Sequence, residues 1–506
     1  MKIFPTASIK RIDAYTIEHE PISSLMLMER AATVLTKAIL KRYSSSFAIF
    51  AGPGNNGGDA LAIARMLVAA GRRVRVWLFS SSSGRLSPDC DANLRSLQLV
   101  DSDLLEINIV EDSFIIPTVL PEAVVIDGLF GSGLTRPLEG IYANVVHFIN
   151  AIPNRVVSID IPSGLMGEDN SCNVYENIVK ADITYTLQFP KLAMFFAENA
   201  PFVGEFEVLD ICLSHEAMDR EEPLCSMITK DSFSMLATKR NRHAHKGMFG
   251  RALLVAGSKG MAGASILSAR ATLRSGVGLL TLYIPNCNNR ILQCAVPEAM
   301  TICDCCENNI SASPSVEKYN AIAVGPGLGQ HPDSERALLS LIKKCHIPMV
   351  IDADALNILA RNKEYLSRLP AGSIITPHIG EFTRLAGECA SSYERLQRAL
   401  DMAADNNIYI VLKGAYTAVV TPDRHYFLNT SGNAGMATGG SGDVLTGILL
   451  ALLARGFSSE EAARLGVFIH GTAGDIAASR LGETSLIAGD IVDALPQAWE
   501  SLVSKN

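Results

Sequence analysis

The chain has no excess of positive charge. Its 44 lysines and arginines stand against 52 aspartates and glutamates, a net charge of -8, so it offers no basic footprint for DNA, RNA or an anionic membrane surface. It has no long apolar run: stretches such as ILLALL are far too short to cross a bilayer, and the opening MKIFPTASIKRIDAY lacks the apolar segment of a secretory signal. The 11 cysteines are odd in number and follow no framework spacing, which argues against a disulfide scaffold and suits reduced thiols. Cys303, Cys305 and Cys306 cluster, but no histidine is near to complete a metal set, so they read as loop or strand thiols. What is left is the expectation of a cytoplasmic protein acting on small molecules, with no nucleic-acid or membrane partner.

At 506 residues the chain exceeds one ordinary hydrophobic core, and two domains are expected. From Ile9 to Tyr43 apolar residues recur at helical spacing, broken at Pro21, with Ser23 or Ser24 placed to cap the second helix. Short apolar runs then follow, FAIFA, RVRVWLF, AVVIDGLF, RVVSIDIP, DITYTL and EFEVLDICL, several of them far enough apart for intervening helices. A second series reads RALLVAGS, GLLTLYIP, AIAVGPG, PMVIDAD, SIITPH and IYIVLKG. Between the two lies the polar, aperiodic SHEAMDREEPLCSMITKDSF. The pattern predicts two α/β domains with mostly parallel sheets, residues 1–215 and 228–506, joined by a linker at 216–227.

Each domain carries a glycine-rich loop ending in an aspartate, GPGNNGGD in the first and GGSGD in the second. In the first, Gly52, Gly54 and Gly57 fit the G-x-G-x-x-G spacing after a strand and before a helix that Gly71 would close. A dinucleotide fingerprint also needs an acid at the end of the next strand to hold ribose hydroxyls, and here that strand ends in Phe79 followed by Ser80 to Ser83. The loop has no lysine and is not a Walker A sequence. It has instead Asn55 and Asn56, amides able to present both carbonyl acceptors and N–H donors to a cation and a phosphate. Asp59 read alone is a helix N-cap. Asp127 ends VVIDG, Asp160 ends VVSIDIPSG, and Ser163 follows. In a parallel sheet such residues converge on one crevice at the C-terminal strand edge.

GNNGGDALAIAR, DGLFGSGLTRPL and IDIPSG resemble the NAD(P)H-hydrate epimerase domain over residues 5 to 215. The resemblance implies a Rossmann-like fold and interconversion of R and S hydrates at C6 of the nicotinamide ring. It implies a potassium ion on Asn56, Asp127 and Ser163. It further implies that Asn55, Asn56, Gly57, Gly58 and Asp59, then Gly131, Ser132, Gly133, Leu134, Thr135, Arg136 and Pro137, and Asp160 contact the hydrate. Ala60 stands where the family usually has glycine, and TLQFPKL where it usually has Gly-Ala before Pro-Lys; both departures touch pocket shape. Asp160, a carboxylate at the crevice, is the expected acid/base group of epimerisation.

In the second loop Gly439, Gly440, Ser441 and Gly442 precede Asp443 and the helix DVLTGILLALLARG, which Gly456 ends. Bare N–H groups at a helix start make an anion hole, and an aspartate there is in reach of a hydroxyl receiving a phosphoryl group. Read alone, Asp443 is a first-turn acid. With HKGMFGRALLVAGS, GPGLG, DADALN and TPHIGE the element is similar to the ADP- or ATP-dependent NAD(P)H-hydrate dehydratases, whose fold is ribokinase-like, over residues 228 to 502. The similarity implies that Ala264, Gly327, His378 and Asp443 meet the hydrate, and that Lys413, Gly414, Ala415, Tyr416, Thr417 and Gly442 meet the nucleotide. The family's H-P-G-E is here His378-Ile379-Gly380-Glu381.

The expectation is a bifunctional repair enzyme using NADHX and NADPHX. The first domain would epimerise, and the second would dehydrate the S hydrate with ADP and Mg²⁺, releasing AMP and phosphate. A homo-oligomer, tetrameric or larger, goes with the resemblance. The competing expectation is a ribokinase-like small-molecule kinase with an N-terminal ligand-binding or oligomerisation module, since a kinase shares the anion hole and the aspartate.

Overall fold

The structure, a computed structural model, describes residues 1–80, 85–111, 114–233 and 241–503. Ser81 to Ser83 of the serine run after Phe79 lie outside the described residues. Two compact units divide the chain, one Lys2–Leu224, the other Cys225–Ala390 and Glu394–Asn506. Residues 216–227, expected as a linker, instead carry most of a helix, His215–Arg220, and begin a strand, Cys225–Ile228. The helix forms without an apolar period because the Ser214 hydroxyl accepts from the Ala217 N–H and caps it.

The first unit is built on a 7-stranded sheet in the order Leu105–Val110, Val74–Phe79, Phe47–Ala51, Val124–Gly128, Val156–Ile159, Ile183–Leu187, Glu205–Leu209. All neighbours are parallel. Alternation along one strand shows how the layers form. Phe47, Ile49 and Ala51 pack with residues of helices Ser24–Arg42, Asn55–Ala69 and Pro88–Gln98, while Ala48 and Phe50 pack with Val145, Val146 and Ile149 of Gly140–Ala151. Both faces are covered, so the central strands are largely apolar, with the buried Asp127 and Ser158 as polar exceptions. Ser23 is the cap of its helix, accepting from Met26, and Gly71, at φ 75°, follows the end of Asn55–Ala69. Strand Leu105–Val110 has no clean apolar run, and half of its residues are polar or exposed, which hides it in the sequence.

The sheet of the second unit runs Cys225–Ile228, Tyr426–Asn429, Ala418–Val420, Tyr409–Leu412, Ile374–Ile375, Met349–Ile351, Ala321–Val324, Arg251–Val255, Leu279–Ile284, Met300–Cys303. It is parallel except at Tyr409–Leu412, Ala418–Val420 and Tyr426–Asn429, which pair antiparallel. Cys303 ends a strand, while Cys305 and Cys306 lie in the loop that follows. One face packs on Ala262–Arg274, Ser441–Ala454, Ser459–Leu481 and Ala488–Leu502; Val255 and Val324 face Leu338 and Leu341 of Pro332–Lys344 on the other.

Helix Ser441–Ala454 is buried on every side from Val444 to Ala454, as a helix with apolar residues all round must be. It approaches Ala262–Arg274 so closely that a Cβ on Gly447 would sit 2.2 Å from the Ser268 carbonyl oxygen and 2.8 Å from Ala271 Cβ. The Ser268 hydroxyl also donates to the Asp443 carbonyl at 2.9 Å. Gly447→Leu should therefore destabilise this unit by about 1–3 kcal/mol or more through overpacking. Gly263→Ala, where a Cβ meets nothing within 4 Å, should be neutral or stabilise by up to ~1 kcal/mol. Thermal unfolding of the two variants beside the parent chain decides the point, and equal midpoints would contradict this packing.

Candidate functional sites

In the first unit the site gathers past the C-terminal ends of Phe47–Ala51, Val124–Gly128, Val156–Ile159 and Ile183–Leu187. Helix Asn55–Ala69 starts at Asn55 with Gly54 as its cap, so the loop's last five residues are already helical. Asp59 is consequently not the N-cap. It is the fifth helical residue, buried, with Oδ1 lacking a hydrogen-bond partner. Burial, then the charges of Asp160, Asp13 and Asp89, push its carboxyl well above the ordinary range. The Asn56 amide nitrogen is buried without a partner too.

Asp160 closes the crevice. Its φ is 66°, a left-handed conformation uncommon for a residue with a side chain, and its N–H is tied to the Tyr185 carbonyl at 2.8 Å. One carboxylate oxygen accepts from the Ser132 N–H at 3.1 Å and the other from the Lys191 ammonium. Lys191 is 2% exposed and donates as well to Thr186 Oγ1 at 2.9 Å and the Phe189 carbonyl at 3.1 Å. Burial alone would raise the Asp160 carboxyl; the Lys191 charge and these hydrogen bonds more than offset it, and the net shift is downward. Asp13, on helix Thr6–His19, is pushed up to about 6 by burial and by Asp160, with Lys191 opposing. The space a Cβ on Gly131 would take lies 3.1 Å from Asn56 Oδ1 and 3.2 Å from Asp160 Oδ2, so Asn56, Gly131 and Asp160 border one cradle. Thr135 and Arg136 of the same loop are exposed.

Asp127 is fully buried and accepts four hydrogen bonds: from Ser163 Oγ at 2.5 Å, Leu129 N at 3.3 Å, Ser158 Oγ at 2.8 Å and Ser163 N at 2.8 Å. Burial raises its carboxyl and these bonds hold it back. Ser163 Oγ also lies 3.1 Å from the Phe130 carbonyl oxygen. Asp127 Oδ1 and the Phe130 carbonyl oxygen thus both lie around the one Ser163 hydroxyl, whose oxygen in turn accepts from the Phe130 N–H at 2.8 Å. The donor set is all oxygen, the chemistry that an alkali or alkaline-earth cation selects.

The second site is likewise at C-terminal strand ends. Asp352 follows Met349–Ile351 and is 1% exposed. It accepts from Lys413 Nζ at 2.8 Å and Thr446 Oγ1 at 2.6 Å. Ala353 beside it has φ 51°, and a Cβ on Gly325 would fall 1.8 Å from the Asp352 carbonyl oxygen, so the strand ends are locked by backbone contact. Lys413 reaches Gly442, where a Cβ would lie 3.3 Å from Nζ, and Glu381 Oε2 at 3.9 Å. Residues Lys413, Gly414, Ala415, Tyr416 and Thr417 form the turn out of Tyr409–Leu412.

Gly440, with φ 91°, caps helix Ser441–Ala454, and Asp443 lies in its first turn. Burial and the neighbouring Asp352 charge push the Asp443 carboxyl up to about 7, against the pull of Lys413. His378 is the N-cap of Ile379–Ala386: Nδ1 accepts from the Gly380 N–H at 3.0 Å, and Glu381 accepts from the His378 N–H at 2.9 Å. Isoleucine in place of the family proline leaves this cap formed. Burial and then Lys413 and Arg384 lower the His378 imidazole. Gly327 lies against Ala264, whose Cβ is 3.2 Å from where a Gly327 Cβ would be. Sequence reasoning did not nominate Lys191, Asp13, Asp352, Glu381 or His470. The last is held neutral near pKa 4 by burial, 3.3 Å from Ser441 Oγ.

Two doubly covered sheets, one parallel and one mostly so, each with perturbed carboxylates beside a glycine-rich helix start, define a two-domain α/β enzyme with a ligand crevice in each domain. A family model described as NAD(P)H-hydrate dehydratase matches residues 252–497, and one described as YjeF-related protein N-terminus matches residues 24–193. A bifunctional NAD(P)H-hydrate repair enzyme of Thermofilum pendens is 35% identical over 99% of this chain and 97% of its own. One from Moorella thermoacetica is 33% identical over the same shares. The crystal structure of an ADP/ATP-dependent NAD(P)H-hydrate dehydratase from Bacillus subtilis is 30% identical, covering 55% of this chain and 99% of that one with a TM-score of 0.49. The chain belongs to the family of bifunctional NAD(P)H-hydrate repair enzymes.

The Asp160–Lys191 pair yields a direct test. Lys191→Met leaves a buried carboxylate unpaired, which should cost about 3–5 kcal/mol, and Lys191→Met with Asp160→Asn should regain much of that. Denaturant unfolding of the two single variants and the double variant measures the coupling; strictly additive effects would show that the pair does not interact.

Proposed function

We propose that this chain repairs hydrated NADH and NADPH, epimerising the R and S hydrates at C6 in residues 1–215 and dehydrating the S hydrate in residues 228–506 with ADP as phosphoryl donor. The observation that carries the reading is Asp443, poised near neutral pKa in the first turn of a glycine-capped helix, within a cluster of Asp352, Lys413 and Glu381. A carboxylate titrating near 7 is matched to accepting a hydroxyl proton at physiological pH.

In the dehydratase, Ala264, Gly327 and His378 position the hydrate and Asp443 takes the proton of its C6 hydroxyl. That oxygen attacks the terminal phosphorus of ADP and AMP leaves. The N–H groups at the start of helix Ser441–Ala454, aided by its macrodipole, stabilise the group in transfer. The ring nitrogen lone pair then expels phosphate from C6, and loss of a C5 proton completes the ring double bond. Gly414 to Thr417 and Gly442 contact the nucleotide, and Lys413 sets its charge against the phosphates. Mg²⁺ accompanying the nucleotide would supply charge neutralisation on the phosphates, and Asp352 and Asp443 would be the carboxylates to hold it.

In the epimerase, Asn55 to Asp59 and Gly131 to Pro137 hold the hydrate over the crevice. Asp160 takes the proton of the C6 hydroxyl as the C6–N1 bond opens to leave an aldehyde and returns it when N1 closes on the opposite face, with Lys191 fixing its orientation and charge. Potassium supplies a fixed positive charge among oxygen ligands, and Asn56, Asp127 and Ser163 are the residues whose lone pairs suit it. The unpartnered Asn56 Nδ2 is a donor and supports a hydrogen-bond acceptor beside it, such as an oxygen of the hydrate, since a buried amide N–H without one is costly.

An epimer mixture incubated with ADP, and separately with ATP, should return NADH and release phosphate, followed by absorbance and a phosphate assay; a stable phosphorylated product without NADH would establish a kinase instead. Asp443→Asn should keep nucleotide binding and abolish NADH recovery, and Asp160→Asn should block epimerisation only. Because Asp443 works unprotonated and titrates near 7, kcat/KM for dehydration should fall as pH drops through ~7, approaching tenfold per unit well below it. A flat acid limb down to about pH 5 would remove the base assignment.

A further inference from the structure

Helix Thr6–His19 lays a polar stripe along the crevice of the first unit. Thr6, Lys10 and Asp13 are spaced i, i+4 and i+7 and so share one face. Thr6 donates through N and Oγ1 to Glu168 Oε1 at 2.7 and 2.8 Å, and Lys10 Nζ lies 3.6 Å from the space a Cβ on Gly133 would take. Asp13 completes the stripe beside Asp160: the charges of Asp160 and Lys191 act on it from the sheet edge, and it acts in turn on Asp59 of helix Asn55–Ala69. The charges on the helix's other side turn away, Arg11 to Glu221 and Arg220 over the Tyr15 ring.

Asp13 and Asp160 are two carboxyls of one crevice in opposite surroundings. Asp160 is clamped by the Ser132 N–H and the Lys191 ammonium, which hold it ionised. Asp13 is half-buried, and among the described residues no hydrogen-bond donor meets its carboxyl. Burial and the Asp160 charge keep its proton on up to about 6. Surroundings that drive two neighbouring carboxyls apart in this way mark one as acid and the other as base. Opening a C6–N1 bond needs both, because the electron pair returning to N1 must meet a proton while the C6 hydroxyl gives one up.

We propose that Asp13 is the general acid of epimerisation, protonating N1 of the hydrate while Asp160 takes the proton of the C6 hydroxyl. The inference rests on the epimerase reading of residues 1–215. As the C6–N1 bond breaks, its electron pair goes to N1 and takes the Asp13 proton; the O–H pair forms the C6 carbonyl and the hydroxyl proton passes to Asp160. On reclosure N1 attacks the opposite face of the aldehyde, Asp13 recovers the N1 proton and Asp160 returns its own to oxygen. Both side chains end as they began.

The full chain incubated with the purified R hydrate and no nucleotide runs only epimerisation, so chromatographic separation of R and S, with the spontaneous rate subtracted, tests the assignment. Because Asp13 works protonated, kcat/KM of the parent should fall as pH rises through ~6, approaching tenfold per unit well above it. Asp13→Asn should lose kcat on the order of a hundred- to ten-thousandfold and with it that basic limb; Asp13→Glu should regain part of the rate with the limb intact. Parental kcat in Asp13→Asn, or a lowered kcat with the limb unmoved, overturns the proposal, the second outcome handing the limb to Asp59. If Asp13→Asn falls to the spontaneous rate, Asp13→Glu decides: recovery with the limb supports the role, and none overturns it. A parent that does not exceed the spontaneous rate removes the epimerase reading itself, whereas with an active parent any failure belongs to Asp13 alone. A matching thermal midpoint for Asp13→Asn excludes misfolding as the cause.

Discussion

Parallel strands impose the constraint on which the rest depends. When neighbouring strands run in one direction, every strand must hand its chain to the next segment at the same edge, and side chains from distant parts of the sequence arrive there together. In the first unit that edge collects Asp127, Asp160, Ser163 and Lys191. In the second it collects Asp352, His378 and Lys413, with Asp443 brought in by the helix above. Several carboxylates are thereby buried near one another, and burial, reinforced by their mutual repulsion, drives Asp13 to about 6 and Asp443 to about 7. The lysines are what make such crowding tolerable, because an unmatched buried charge costs far more than a paired one.

Much of this was legible in the sequence, and for a physical reason. An aspartate directly after a run such as VVI or VVSI falls near a strand's C-terminal end, because the run is long enough to be one and a buried acid needs the hydrogen-bond partners that the loops beyond that end supply. Asp127 and Asp160 were found in that way. Lys191 was not, since nothing in QFPKL marks it as buried; only the fold shows that its ammonium turns inward to Asp160, Thr186 and Phe189. Asp13 lies on a helix face where an acid normally meets water. Asp59, which taken alone would read as a cap because glycines look like loop, is not one, since the helix already begins at Asn55 and Gly57 and Gly58 lie within it.

The fold was readable to a similar depth. Central strands announced themselves as apolar runs because both faces are covered. Peripheral ones did not: Leu105–Val110 is interrupted by polar residues, and Ala418–Val420 and Tyr426–Asn429 are too short to stand out from the turn residues around them. The segment at 216–227 looked like a linker on polarity alone, yet one capped turn of helix and a strand paired to Tyr426–Asn429 need little apolar content.

The contact at Gly447 has a mechanical meaning beyond stability. Helix Ala262–Arg274 carries Ala264, assigned to the hydrate, and helix Ser441–Ala454 carries Gly442 and Asp443, assigned to the nucleotide and the base. With Gly447 against the Ser268 backbone and the Ser268 hydroxyl on the Asp443 carbonyl, the two helices form one stiff bracket, and the binding surfaces for donor and acceptor are fixed in mutual distance before either arrives. On the proposed assignments, the entropic work of aligning hydroxyl and phosphorus is done in folding, and adjustment to substrates falls to the Lys413 turn.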